Sequence, residues 1–547
     1  MTPARALLGA VVVVGLGVAV AIVLPSRGRS ASSDTPTRCS TGVALTVAAD
    51  PSIAPALTDI TNQWVATKPV IGAACPSVVV RSVASAVEAA ALTKADAAPP
   101  SLWIPASTLW VDRVREASAG TDSAANSLWL YPPIATSPLV LAASAASAGT
   151  VRTAAAAGWK QLLTGATKMA AVDPATDSAG LAAVTSAQAL LNGDADTPSR
   201  QLVNSFVSLT TVSVRSSVAG LSALAAQRST VQALVTSEQE ARAAAAERGA
   251  AAALVTVYPS GSAVGLDWPV AQFSPPGGDP ATRNATVALV NHLFTAAAQQ
   301  RLREAGLRDR AGHPLGGSPV VRTLPRPTVD QQTAATRTWT AAGRTSRTLV
   351  VIDLSGSMSE TIGGGQTKIQ FAAQAELAAI KFFPNTSSLG LWGFSVDRTP
   401  TTDWTVLVPL GPLSGAVGAS TRRTALAAAA STMPSITRGN TGLYATTLAA
   451  YQSVRAGFDP ASVNSVVLLS DGANTDTRGV DLAALLSTLR SENSPSRPLP
   501  IITIAVGQDA DTATLGKIAT ATGGAAYTAT EPADIRNAFL DAIIKAG

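Results

Sequence analysis

The hydrophobic pattern changes character several times along the chain. Residues 6–24 are an apolar run without a charge, preceded by Arg5 and followed by Pro25, Arg27 and Arg29. About 20 apolar residues suffice to span a bilayer, so the run reads as a single anchor helix. A cleaved secretory signal is the competing reading, with Ala19-Val20-Ala21 as its small-x-small site. Positive charge flanks both ends, so the orientation must come from elsewhere. Residues 26–38, rich in Ser, Thr, Pro and Arg, form a tether. From Val43 onward strand patterns alternate with helical ones: a strand over 43–49, an amphipathic helix over 54–66, a strand over 78–83 and a helix over 86–94. Such alternation predicts an α/β domain with a mainly parallel sheet. Two long, proline-broken apolar stretches, 128–143 and 252–273, read as crossings between an outer and an inserted lobe, with a cleft between them. A polar, Thr-, Arg- and Gln-rich stretch over 326–346 follows and reads as a linker.

After it the pattern becomes that of a doubly wound sheet. Buried strands are predicted at 348–353, 389–396, 404–409, 463–471, 500–506 and 525–528, with helices at 368–382, 422–432, 443–458, 482–491, 512–520 and 531–545. The chain thus divides into an anchor or signal (1–30), a linker (31–42), a first globular domain (43–325), a second linker (326–346) and a last domain (347–547).

Composition narrows the function classes. With 547 residues, 47% of them hydrophobic and 14% charged, the chain can bury large cores. Alanine inflates the apolar fraction while aromatics are 4%, which argues against a multispan membrane protein. The formal charge of +5 comes from scattered arginines, with no basic run interleaved with aromatics, so nucleic acid is a poor partner. Cys39 and Cys75 are the only cysteines, both beyond the apolar run. Each precedes a predicted strand, and adjacent parallel strands would bring them together as a disulfide in an oxidising, extracytoplasmic compartment. Only His292 and His313 occur, both outside the last domain, so neither a zinc cluster nor a Ser-His-Asp set can be assembled there, and no enzyme is expected.

The candidate chemistry begins at Thr348 to Glu360, TLVVIDLSGSMSE, where an apolar strand delivers Asp353, Ser355 and Ser357 to one loop. Thr441 stands in a Gly-Asn-Thr-Gly loop, and Asp471-Gly472 ends another apolar run. Short oxygen side chains gathered at the carboxyl ends of parallel strands suit a hard cation such as magnesium. This set, in this order, resembles the von Willebrand factor type A (VWA) domain, over roughly Arg347 to Gly547. The resemblance implies a metal-ion-dependent adhesion site built from Asp353, Ser355, Ser357, Thr441 and Asp471. It further implies Mg2+, or Mn2+ or Ca2+, as cofactor, and a protein partner whose Asp or Glu completes the coordination. Gly363-Gly364-Gly365 lacks the ending of a phosphate loop and reads as an insertion beside the metal.

The first domain resembles extracellular solute-binding proteins of the two-crossover, type II class, and within them an oxyanion-binding branch. The resemblance is carried by 43–50, 102–108, 134–140, 173–180 and Val257-Tyr258-Pro259. It implies a small solute or oxyanion held between lobes by hydroxyls and helix N-termini, with Asp50, Ser107, Thr136, Ser137, Ser178 and Tyr258 as cleft candidates. Asp50 and Ser178 also fit as helix caps, and Thr136 and Ser137 as hinge residues. The expectation is a membrane-anchored, extracytoplasmic interaction protein, with a solute receptor or transport-associated sensor as the alternative.

Overall fold

The strand Thr41–Ala49 buries alternate residues at its start and every residue at its end, with burial becoming complete where a second neighbour arrives. It pairs in parallel with Ala74–Ser82 along its whole length and with Leu102–Ile104 only from Val47. This computed structural model describes Cys39, residues 41–529 and Asp534, apart from short stretches at 95, 122, 194–197, 213, 249–253, 274–277, 363–364, 381–382, 384, 473 and 508. The expected anchor over 6–24, the last helix over 531–545 and most of the glycine insertion lie outside the described residues. Among the described residues no helix is long and apolar enough to cross a membrane.

Two sheets build the first domain. One has the order 74–82, 41–49, 102–104, 270–273, 128–131, and the other the order 169–170, 233–237, 139–144, 254–257. The chain therefore passes to the second lobe after Tyr131 and returns after Val257, within the two proline-broken stretches. Where the passages lie side by side, Thr136–Ser137 pairs with Leu266–Asp267. Cys39 and Cys75 form a disulfide with their Cα atoms 5.5 Å apart, and the register that sets Gly42 against Cys75 brings them together.

Two expectations need correction. The sheets of the first domain are not mainly parallel. The strand over 41–49 pairs in parallel with 74–82 and 102–104, and 169–170 with 233–237. But 270–273 runs antiparallel to 102–104 and 128–131, and 139–144 antiparallel to 233–237 and 254–257, because the chain crosses between lobes and returns. The stretch 326–346 is no free linker: Val329–Gly343 is a helix, opened by a capping box between Thr328 and Gln331. Its Ala335, Trp339 and Ala342 join the core of the first domain, with Trp339 edge-on to Phe206 at 5.5 Å. Those apolar residues recur at helical spacing, but they are diluted by Thr, Gln and Arg, so the overall composition reads as polar. Only Arg344 and Thr345 separate this helix from the next strand.

That strand, Ser346–Asp353, sits in the middle of a six-stranded sheet ordered 404–412, 388–394, 346–353, 463–470, 501–506, 526–529. All its pairings are parallel except that of Trp404–Pro412 with Ser388–Phe394. Val350 and Ile352 face one core while Leu349 and Val351 face another, so the strand is buried on both sides and reads as an unbroken apolar run. After Asp353 the chain builds outward to one side, then returns to the other side as Val463–Ser470. The crevice between these two strand ends is the topological switch point of the sheet.

Candidate metal centre and interlobe cleft

Both carboxylates of the candidate centre arise at that switch point, Asp353 as the last residue of its strand and Asp471 directly after Ser470. Asp353 is fully buried; its Oδ1 accepts from the Ser355 backbone N–H at 2.8 Å and its Oδ2 from the Ser470 hydroxyl at 2.6 Å. Burial pushes its pKa up to about 6, and the charge of Asp471 adds to the effect, against the hydrogen bonds from Ser355 and Ser470. The Ser355 and Ser357 hydroxyl oxygens lie 3.0 Å apart, and the Ser357 hydroxyl donates to Asp471 Oδ1 at 2.9 Å.

Thr441 comes to the same place from the second loop. Gly439, with φ +86°, takes a left-handed turn there and accepts from the Gly356 N–H at 2.8 Å, which ties this loop to the first one. The Thr441 N–H donates to the Thr475 hydroxyl at 2.8 Å, so the segment after Asp471 fixes its position. Thr441 Oγ1 lies 3.9 Å from the site of a Cβ built on Gly472. All five predicted residues are thus gathered by three loops at one sheet edge.

The set fits a small hard cation. Adjacent ligands in an octahedron with about 2.1 Å bonds lie about 3.0 Å apart, which matches the oxygen separations from Ser355 to Ser357 to Asp471. Buried Asp353 supplies the charge such an ion would balance. Among the described residues no group of three or more His, Cys, Asp and Glu side chains could hold a metal, so a cation seated here would take most of its ligands from hydroxyls.

One residue of the centre was missed by sequence reasoning. Lys368, nearly buried, places its Nζ 2.9 Å from each of Asp471 Oδ2, Glu360 Oε2 and Asp509 Oδ2. Burial alone would lower its pKa, but bonds to Glu360, Asp509 and Asp471 outweigh that and hold the ammonium above its usual range. The only signal in the sequence was a lone lysine opening a helix.

In the first domain a cavity of about 510 Å³ opens between the lobes. Asp50 and Ser178 line it, together with Ser85, Asp177, Ser217 and Glu240, which sequence reasoning did not single out. The other candidates are elsewhere. Ser107 caps a helix by accepting from the Leu109 N–H, and Ser137, equally buried, accepts from the Gln239 N–H. Thr136 donates to the Asp309 carbonyl in the hinge. Tyr258 donates at 2.6 Å to Glu238, which is itself locked to the buried Arg308. These four do not line the cavity, because their polar atoms are consumed by caps, hinge and ion pair.

The cavity's charge is one-sided. Asp50 accepts from the N–H and hydroxyl of Ser85, and Asp177 from the Gly180 N–H and the Ser217 hydroxyl. Glu240 accepts from the hydroxyls of Thr236 and Ser237. Burial, reinforced by the neighbouring charge of Glu240, pushes Asp177 up to about 7. With Glu247 the lining holds four acidic residues and, among the described residues, no Lys or Arg.

Comparison with known proteins agrees with the two-domain architecture. Residues 45–308 match the family described as bacterial extracellular solute-binding protein, and residues 349–540 match the von Willebrand factor type A domain. The chain carries matches to both families, the solute-binding domain first and the VWA domain after it. Uncharacterized proteins from two strains of Mycobacterium tuberculosis are 28% identical over 270 residues, covering 49% of this chain and 39% of theirs. The chain thus spans less than half the length of these curated relatives. Similar solved structures include a periplasmic thiamin binding protein (12% identity, 55% of this chain and 96% of that one, TM-score 0.41). Another is the sulfate-binding protein SubI of M. tuberculosis H37Rv (16%, 49% and 86%, 0.36). A VWA protein from Catenulispora acidiphila is similar at 20% identity over 37% of this chain and 43% of that one, with a TM-score of 0.27.

Proposed function

We propose that this chain is an extracytoplasmic interaction protein, tethered by residues 6–24, whose VWA domain grips an acidic residue of a protein partner through a divalent cation, magnesium or manganese. The observation that carries this reading is the row of oxygens from Ser355 to Ser357 to Asp471, at octahedral spacing beside the buried carboxylate of Asp353. Asp353, Ser355, Ser357, Thr441 and Asp471 would hold the ion, which supplies a Lewis-acidic position for a carboxylate from outside. Two carboxylates offset the charge of the ion, while the three neutral hydroxyls bind it weakly and leave it electrophilic toward that outside carboxylate. The disulfide and the solute-binding domain support an oxidising location outside the cytoplasm.

Calorimetric titration of the full chain in detergent with Mg2+ and Mn2+ tests the centre. Saturable heat is expected for the wild type and none for Asp353→Ala, with the far-UV circular dichroism of the two unchanged. Equal heats in both proteins would refute it.

The cavity between the lobes supports a second reading, a solute receptor. Its acidic lining favours a cationic or neutral, hydroxyl-bearing solute over an oxyanion, because internal carboxylates already occupy the helix N-termini where an oxyanion would seat.

A further inference from the structure

Lys368 opens the helix Lys368–Ile380, a position where the helix dipole disfavours a cation. The surroundings nevertheless hold it there. Its side chain is 3% exposed, while two of its three carboxylate partners, Glu360 and Asp509, are 62% and 65% exposed at the mouth of the centre. Gly507, with φ +96°, passes so close that an added Cβ would stand 3.0 Å from the lysine Cε, so the backbone itself makes room for this side chain. The two oxygens of Asp471 have separate tasks: Oδ2 receives the ammonium and Oδ1 the Ser357 hydroxyl. A cation among the hydroxyls and the lysine therefore do not compete for one oxygen.

We propose that Lys368 is a permanent counter-charge of the metal centre, which keeps Oδ1 of Asp471 turned toward the hydroxyl row and limits how tightly the centre holds a divalent cation. This rests on the metal reading above. Glu360 and Asp509 are exposed and their charges are screened by water, so among the buried groups the ammonium offsets the charge of Asp471 and the protein alone binds the ion loosely. The excess positive charge that remains favours an acidic ligand from the partner, which ties retention of the metal to engagement of that partner.

The test is titration of the full chain in detergent with MnCl2, comparing wild type, Lys368→Met and Lys368→Arg, with melting temperatures recorded with and without Mn2+. Lys368→Met is expected to bind Mn2+ about tenfold tighter than wild type, since the residual attraction between the carboxylates and the ion is no longer offset. It should also melt earlier without metal and gain more on adding it, whereas Lys368→Arg restores looser binding. A folded Lys368→Met with unchanged or weaker affinity overturns the proposal and leaves the metal centre standing. A Lys368→Met protein that stays unfolded in saturating Mn2+ also overturns it, because the ion should replace the lost charge. Absence of binding in both wild type and Lys368→Met overturns the metal reading together with this proposal.

Discussion

Asp353 carries the largest electrostatic burden of any single residue in the centre, because it is a carboxylate wholly removed from water whose partners are a backbone N–H and one hydroxyl. Its raised pKa has a definite consequence for stability. A carboxyl that holds its proton more tightly in the folded state favours folding at low pH, and that contribution is lost as pH rises from the ordinary value of 3.8 to about 6. Metal-free protein should therefore lose up to about 3 kcal/mol between pH 4 and pH 7.5 from this group alone. Asp353→Asn should recover most of it at pH 7.5 and little at pH 4, which denaturant titrations at the two values would measure. Buried Glu376, pushed up to about 7 by desolvation, acts in the same direction and remains in both proteins, so the difference between them isolates Asp353. At this scale the motif residues were readable from the chain, since each stands in a short loop with a fixed spacing from an apolar strand. Lys368 was not, because its partners Glu360, Asp471 and Asp509 are spread over 150 residues and meet only in the fold.

Among the elements, the strands of the VWA domain were the most legible and the helix Val329–Gly343 the least. Strands buried on both faces leave a continuous apolar signature, and Val463–Ser470 and Ile501–Val506 lie within a residue of expectation. The helix presents only one apolar stripe, and its partners Phe206 and Arg113 belong to segments more than 100 residues earlier. Its capping box offers a direct test of its contribution. Replacing the exposed Thr328 by Ala removes the side-chain acceptor for the Gln331 N–H and should destabilise the first domain by about 1 kcal/mol, read as a lower denaturation midpoint with the slope unchanged. A loss of that size would establish that the helix stabilises the domain rather than merely connecting it.

For the molecule as a whole, the two domains place different chemistries at different sheet edges. The cleft between lobes is acidic, while the VWA switch point gathers neutral hydroxyls around two carboxylates and a lysine. An oxyanion in the cleft would meet Asp50, Asp177, Glu240 and Glu247, with no Lys or Arg lining the cavity among the described residues. Sulfate and molybdate at millimolar concentration should therefore leave the melting temperature of the full chain within experimental error, measured at an ionic strength held constant with chloride. A saturable rise would require the lobes to rearrange and free the helix N-termini of their carboxylates. The lobes are held together by the Trp110 indole N–H, which donates to Ser178, and by the Gln239 side chain, which donates to the Ser52 carbonyl.

Local pattern was enough to determine the two α/β domains, the crossings between lobes, the Cys39–Cys75 pairing and the order of the five candidate-site residues. Each of these depends on periodicity or short-range spacing, which the chain carries directly. The acidity of the cleft, the dispersal of Ser107, Thr136, Ser137 and Tyr258 into caps, hinge and ion pair, and the place of Lys368 were decided only by folding. Those features depend on which distant segments share a strand end, and a hydrogen-bonding side chain goes to whichever partner burial leaves it.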